Sequence, residues 1–134
     1  MWSYKLFRIG ALVVTLCVVA HLVGHFASKG QKPVNGTEFQ LEELMYGYKM
    51  NVMGTMRSQG DFYDGMSLGF TVFMLTLGAF GFLLPVQKKA AIIFAVSLAV
   101  MLVISVTYWF ILPTAFLGAA MLAYAGSAYL EQKK

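Results

Sequence analysis

Residues 6–27 read LFRIGALVVTLCVVAHLVGHFA, an apolar run in which Arg8 is the only Lys, Arg, Asp or Glu. Because an α-helix rises about 1.5 Å per residue, roughly 20 apolar residues cross the ~30 Å hydrocarbon core of a bilayer. Lipid offers no partner to an unpaired backbone N–H or C=O group, so a segment that spans it forms a helix. The run therefore predicts a transmembrane helix near the start of the chain.

Three further apolar stretches follow, and the last of them is slightly short for a span. They cover about residues 65–86, 90–112 and 114–130. Pro85 closes the second span, and Pro113 separates the third from the fourth, which predicts a tight antiparallel pair of helices there. We therefore expect an all-α fold, a single transmembrane domain over residues 1–134 that forms an integral-membrane four-helix bundle.

The composition supports a membrane protein. Hydrophobic residues make up 59% of the chain and charged residues 12%, with a mean hydropathy of +0.70. A soluble domain carries roughly 25% charged residues, so an ordinary soluble globule, a disordered chain and a secreted disulfide scaffold are excluded. Cys17 is the only cysteine, so no internal disulfide or thiolate metal cluster is expected. The net charge of +4 includes no run of basic residues, so we expect the lipid bilayer and not nucleic acid as a partner.

The connection over residues 28–64 is the only long water-exposed segment. Its first part, residues 28–36, has the composition of a loop. Thr37 is then expected to open a helix, with Gln40 as its capping-box partner. Apolar residues follow at helical spacing, which predicts an amphipathic helix that lies on the membrane or caps the bundle. They are Leu41, Leu44, Met45, Tyr48 and Val52.

Basic residues predict the orientation of the chain, because they are concentrated in cytoplasmic segments. One side of the membrane would hold Lys5, Arg8, Lys88, Lys89, Lys133 and Lys134, whereas acidic residues offset the basic ones in the long loop. We therefore expect a multi-pass protein of the bacterial inner (plasma) membrane, with both termini in the cytoplasm and the loop outside. A cleaved signal peptide is the alternative for the first segment, but the run is long for one and no clear cleavage site follows it.

Polar residues gather at the outer end of the predicted bundle. His21 and His25 are four residues apart and therefore share one face of the first helix. Asp61 and Asp64 enter the second helix at the same depth. Ionisable residues at membrane depth are costly and usually face the protein interior or a cavity. This asymmetry predicts a functional site at the outer membrane face.

A divalent transition metal is the most specific interpretation of this cluster, because two imidazoles and a carboxylate form a recognised ligand set. The predicted ligands are His21, His25, Asp64 and Asp61; Asp64 is the best third ligand because it is expected to begin the second helix. Further side chains are predicted to contact a bound ligand or to support the metal ligands. They are Arg57, Tyr63, Tyr108 and Trp109.

Other interpretations of the cluster stay open. The histidines can hydrogen-bond across helices while the aspartates cap the second helix or pair with Arg57, or the cluster can relay protons or contact a ligand. Haem is disfavoured, because two histidines one turn apart on one helix cannot bind both faces of one haem, and the chain has no third histidine. Phosphoryl transfer has no nucleotide loop, nucleophile elbow or kinase element to carry it, and no catalytic residue is assigned.

Two functional hypotheses follow. In the first, the outer site binds a metal or a small polar or amphipathic ligand; in an enzyme, a metal-activated water or a His–Asp acid–base pair would act on a lipid-phase substrate. In the second, the protein is a non-catalytic accessory or scaffold subunit. Small residues every fourth position let helices approach closely in lipid, so this face of the fourth span would dock a partner, a second copy or a larger complex. They are Ala115, Ala119, Ala123 and Ser127.

Two short elements carry a family resemblance. His21-x-x-Gly24-His25-Phe26 ends the first span, and Met56-Arg57-Ser58 with Phe62-Tyr63-x-Gly65-Met66-Ser67 opens the second. Together they resemble a group of small bacterial four-helix membrane proteins, and the resemblance extends over most of the chain. It implies a bacterial inner-membrane protein and no particular activity.

Overall fold

The computed structural model describes residues 2–29, 31–108 and 111–132. Four of its helices are long and apolar enough to cross a membrane, by length and composition: α1, α3, α4 and α5. In chain order the elements are α1 (Trp2–Lys29), α2 (Gly36–Glu42), a π-helical turn (Glu43–Gly47), β1 (Lys49–Val52), β2 (Thr55–Ser58), α3 (Gln59–Leu83), α4 (Lys88–Tyr108) and α5 (Ile111–Gln132). The expected four-helix membrane bundle is confirmed.

The bundle is held together around α1 and α5. The helix α1 packs against α3 and α5, and α5 also packs against α4. Three rings meet in the core, where Tyr124 lies edge-on to Phe7 at a centroid distance of 5.1 Å and to Phe94 at 5.0 Å. Because lipid tails are as apolar as the side chains, such interlocking contacts rather than the hydrophobic effect hold helices together in a membrane.

Two glycines permit this close packing. A Cβ atom added to Gly10 of α1 would lie 2.8 Å from the Tyr124 ring, and one added to Gly81 of α3 would lie 2.5 Å from the Tyr124 hydroxyl. Both distances are shorter than a van der Waals contact. Tyr124 of α5 therefore fits between α1 and α3 only because neither position carries a side chain.

At one end of the bundle, called here the termini end, polar side chains tie the start of α1 to the ends of α3 and α5. The Arg8 guanidinium donates to the carbonyl oxygens of Gly81 at 2.7 Å, of Phe82, and of Leu84 at 3.5 Å. These carbonyls have no partner within α3, so Arg8 satisfies the end of that helix. Ser127 donates to the backbone oxygen of Ser3 at 2.9 Å.

The opposite end, called here the loop end, carries residues 31–58 and differs from the prediction. The helix α2 is capped by Asn35, whose side-chain oxygen accepts a hydrogen bond from the Glu38 N–H at 2.9 Å, so the predicted Thr37–Gln40 cap is wrong. The predicted helix through Val52 is also wrong, because α2 ends at Glu42 and a π-helical turn follows.

A β-hairpin takes the place of the rest of that predicted helix. Strands β1 and β2 pair antiparallel, with Lys49 opposite Ser58 and Val52 opposite Thr55. Met53 (φ +50°) and Gly54 (φ +86°) form the turn, and both lie in the left-handed region that two-residue hairpin turns require. The hairpin leads directly into α3, which begins at Gln59 rather than near residue 65 as expected.

Candidate functional site

The candidate site lies at the loop end, between the last turns of α1 and the first turns of α3. It contains His21, His25 and Lys29 on α1 and Asp64 and Ser67 on α3, and these five residues are called the polar site below. The three α1 residues are spaced by four and the two α3 residues by three, so each set occupies one face of its helix. The structure thus brings together three of the predicted ligands, which are His21, His25 and Asp64.

Ser67 joins the two histidines. Its Oγ lies 3.0 Å from His21 Nε2 and 3.0 Å from His25 Nδ1. His21 Nε2 also lies 3.3 Å from the Ser67 carbonyl oxygen, which can only accept a hydrogen bond. We therefore assign a proton to His21 Nε2, which donates to Ser67.

This assignment fixes the direction of the other hydrogen bonds. The Ser67 hydroxyl accepts from His21 and has one proton of its own to donate, and His25 Nδ1 lies 3.0 Å away to accept it. In this arrangement Nδ1 is the acceptor of the His25 ring and Nε2 carries a proton. That nitrogen faces Asp64, a carboxylate that favours an N–H over a lone pair. The hydrogen bonds of the polar site therefore all run the same way: His21 donates to Ser67, and Ser67 donates to His25. The N–H of His25 faces Asp64.

His25 is the most buried ionisable group of the polar site. The residue is 7% exposed, and its Nε2 is buried without a hydrogen-bond partner among the described residues. The nearest acidic oxygen, Asp64 Oδ1, is 3.9 Å away, which is within ion-pair range but too long for a hydrogen bond. A buried donor left unpaired costs about 1–3 kcal/mol. His25 Nε2 can thus donate a hydrogen bond that none of the described residues accepts.

Lys29 and Tyr46 lie beside Asp64. Lys29 Nζ lies 2.8 Å from Asp64 Oδ2, so Asp64 is held between an ammonium and the His25 ring. Tyr46, from the π-helical turn, packs its ring against Gly60 of α3, where there is no room for a Cβ atom. Partial burial and then the charge of Asp64 raise the pKa of the Tyr46 phenol, which therefore stays protonated at neutral pH.

Asp61 has a structural partner. Its carboxylate accepts a hydrogen bond from the Ser58 N–H at 2.8 Å, and Ser58 Oγ accepts one from the Asp61 N–H at 3.1 Å. This reciprocal pair is a capping box, so of the two aspartates expected to cap the helix, Asp61 takes part in the cap and Asp64 does not. The cap also explains why α3 begins early, since it places Asp64 inside the helix rather than at its start.

The remaining predicted residues lie outside the polar site or outside the described residues. Arg57 is on β2 and, with Asp61, Phe62, Gly65 and Met66, lines a shallow surface hollow of about 540 Å³. Tyr63 is 60% exposed. Tyr108 is the last residue of α4, but its side chain and all of Trp109 fall outside the described part of the chain.

Sequence reasoning missed Ser67 and Lys29. Both had a signal: Lys29 continues the four-residue spacing of His21 and His25, and Ser67 follows Asp64 by three residues. Among the described residues, no group of three or more His, Cys, Asp or Glu side chains is arranged to hold a metal ion. The predicted metal stays a prediction.

Comparisons of the chain with protein-family models, with curated proteins and with solved structures found no match. The chemistry of the polar site is therefore read from its geometry. It offers an ammonium, a carboxylate and a buried imidazole N–H within one small region at the end of two membrane-spanning helices. Such a set can bind a group that carries both charges, and its ordered hydrogen bonds can move a proton.

Proposed function

We propose that the polar site binds the zwitterionic head group of an amphipathic molecule at the outer face of the bacterial inner membrane. The proposal includes the orientation expected from the basic residues, with both termini in the cytoplasm. One observation carries it: His25 Nε2 is buried, has no hydrogen-bond partner among the described residues and faces Asp64 at 3.9 Å. A ligand that accepts from this nitrogen would remove the penalty of an unpaired buried donor.

Charge supports a zwitterion rather than a simple ion. The Lys29 side chain is 45% exposed and that of Asp64 is 18% exposed, so solvent reaches their ion pair. An anionic group of the ligand would pair with Lys29 and His25, and a cationic group with Asp64. The apolar chain would lie along the lipid-facing surface, where Phe26 and Met66 are exposed.

The test measures the thermal stability of the protein in neutral alkyl maltoside micelles. The probe is an ether-linked lysophosphatidylethanolamine, which carries the zwitterionic head group but no ester bond. A ligand that binds only the folded state raises Tm. We expect a rise in the wild-type protein and in Thr76→Ala, whose lost hydroxyl bonds only its own helix. His25→Ala and Asp64→Asn should lose the rise; equal shifts in all four proteins would contradict the proposal.

A metal bound between His25 and Asp64 is the second candidate. Their 3.9 Å separation is longer than the ~3.4 Å between two ligands of a tetrahedral ion, so the side chains would have to close by about 0.5 Å, and the Lys29 ammonium competes for Asp64. Elemental mass spectrometry of the purified protein is the measurement. This candidate predicts about one transition metal per chain, lost in His25→Ala and in Asp64→Asn but kept in Thr76→Ala. A folded wild-type protein without metal would contradict it.

A further inference from the structure

Ser67 and His25 stand in the relation of a nucleophile and its general base. Ser67 Oγ lies 3.0 Å from His25 Nδ1, within the distance at which an imidazole takes a proton from a hydroxyl. The hydrogen-bond order assigned above leaves Nδ1 without a proton, which is the state that a base needs. A serine is a weak nucleophile alone, and an adjacent base of this kind activates it.

Asp64 supplies the third part of the arrangement. When His25 Nδ1 takes a proton, the ring becomes an imidazolium whose Nε2–H faces Asp64 Oδ1 at 3.9 Å. A carboxylate in that place stabilises the positive ring and favours the tautomer with Nδ1 free. The two ring nitrogens are exchanged relative to the serine protease triad, where Nε2 faces the serine. The roles are defined by geometry, so the exchange does not alter the chemistry.

We infer that the polar site cleaves an acyl ester of the amphipathic ligand, with Ser67 as nucleophile and His25 as general base; this inference rests on the proposed function. Ser67 Oγ forms a bond to the ester carbonyl carbon, and its proton passes to His25 Nδ1. The carbon–oxygen bond to the alcohol then breaks, and the leaving oxygen takes that proton. Water next attacks the acyl-serine and gives a proton to Nδ1, which returns it to Ser67 Oγ as the carboxylic acid leaves.

The position of the site selects the substrate class. Ester linkages of membrane lipids join the polar head to the acyl chain, so they lie where hydrocarbon meets water. The polar site is at the end of two spanning helices, and Ser67 is half-buried on the third turn of α3. His21 Nε2–H lies 3.0 Å from Ser67 Oγ, so it is a donor beside the atom that attacks the carbonyl, where an oxyanion would form.

The first experiment uses a fluorophosphonate, a probe that modifies activated serines, on the full-length protein in alkyl maltoside micelles. Peptide mass spectrometry locates the modified residue. We expect modification at Ser67 in the wild-type protein and in Thr76→Ala, and none in Ser67→Ala. Hydrolysis of p-nitrophenyl octanoate should stop in Ser67→Ala and fall about 10²- to 10⁴-fold in His25→Ala.

Asp64 is a positioning residue, and its test separates that role from a structural one. With p-nitrophenyl octanoate, which has no cationic group for Asp64 to bind, Asp64→Asn should lower kcat with little change in KM, and Asp64→Glu should restore part of kcat. Gel filtration and Tm confirm that each variant is folded. Should Ser67→Ala fail to fold, modification of Ser67 in the wild-type protein and its loss in His25→Ala decide the question.

The outcomes separate this inference from the proposed function. One outcome overturns the inference and leaves binding intact. In it the Tm of the folded wild-type protein rises with the ether-linked lipid, but Ser67 is not modified by the fluorophosphonate and p-nitrophenyl octanoate is not hydrolysed. Reaction at Ser67 without any rise in Tm keeps the nucleophile and contradicts the head-group site. Reaction that persists in His25→Ala also overturns the inference, because Ser67 would then need no base.

Discussion

Gly81 is a residue at which one added methyl group should disrupt the packing of the bundle core. A Cβ atom there would lie 2.5 Å from the Tyr124 hydroxyl and 2.6 Å from Ala11 Cβ. We expect Gly81→Ala to lower the free energy of unfolding by about 1–3 kcal/mol, the usual effect of overpacking. The measurement is thermal or denaturant unfolding in detergent.

Gly69, on the same helix, is the matched control for this substitution. Nothing lies within 4 Å of its hypothetical Cβ atom. Because alanine favours a helix over glycine, Gly69→Ala should be neutral or stabilise the protein by about 0.5–1 kcal/mol. Equal changes in stability in both variants would show that the close approach of α3 to Tyr124 does not require a glycine at position 81.

At the scale of the element, the N-terminus of α3 connects stability to the site. Ser58 is 1% exposed and its side chain caps the helix together with Asp61. We expect Ser58→Ala to cost about 0.5–2 kcal/mol, because the Asp61 N–H loses its partner. The first turns of α3 should fray, and Asp64 lies in them, so hydrogen exchange at residues 59–64 should increase.

Thr76→Ala is the control for the cap, since it removes a hydroxyl from the same helix without removing a cap. Faster exchange in both variants would mean that α3 is loosened by any lost hydroxyl. Faster exchange in Ser58→Ala alone ties the order of the site to the capping box.

The same scale shows what one sequence can predict about elements. The spans were predictable because each is a long apolar run, and lipid leaves a helix as the only solution. The hairpin over residues 49–58 was not, because Met45, Tyr48 and Val52 also fit a helical spacing. The left-handed turn at Met53 and Gly54 is what favours a hairpin over a helix. Methionine rarely adopts that conformation, so its presence does not predict such a turn.

The candidate site was predictable only within each helix. Spacing alone places His21 and His25 on one face, whichever way α1 is turned. The partner across the interface depends on the rotation of α3 against α1, which is set by contacts such as that between Gly78 and Thr15. Periodicity within one helix does not report how two helices are rotated against each other. The contact of Ser67 with the histidines could therefore not be predicted, although Ser67 lies three residues after Asp64.

At the scale of the whole molecule, the small residues of α5 are divided between two uses. Ala123 and Ser127 are buried within the chain, whereas Ala115 and Ala119 are exposed. Ala123→Leu should therefore destabilise the bundle itself, by about 1–3 kcal/mol. Ala119→Leu should leave the monomer stable. It tests the scaffold hypothesis, because a dimer that docks through this face would dissociate on gel filtration.

The orientation of the whole chain in the membrane can be tested by labelling single cysteines. Cys17 is the only cysteine and is buried, so Cys17→Ala provides a background for single-cysteine variants. Met53→Cys places a thiol at the fully exposed hairpin tip, and Gln87→Cys places one between α3 and α4 without removing a basic residue. Because basic residues stay in the cytoplasm, an impermeant maleimide should label position 53 in intact bacteria and position 87 only after permeabilisation. The reverse pattern would put the polar site on the cytoplasmic face, where its substrate would come from the inner leaflet.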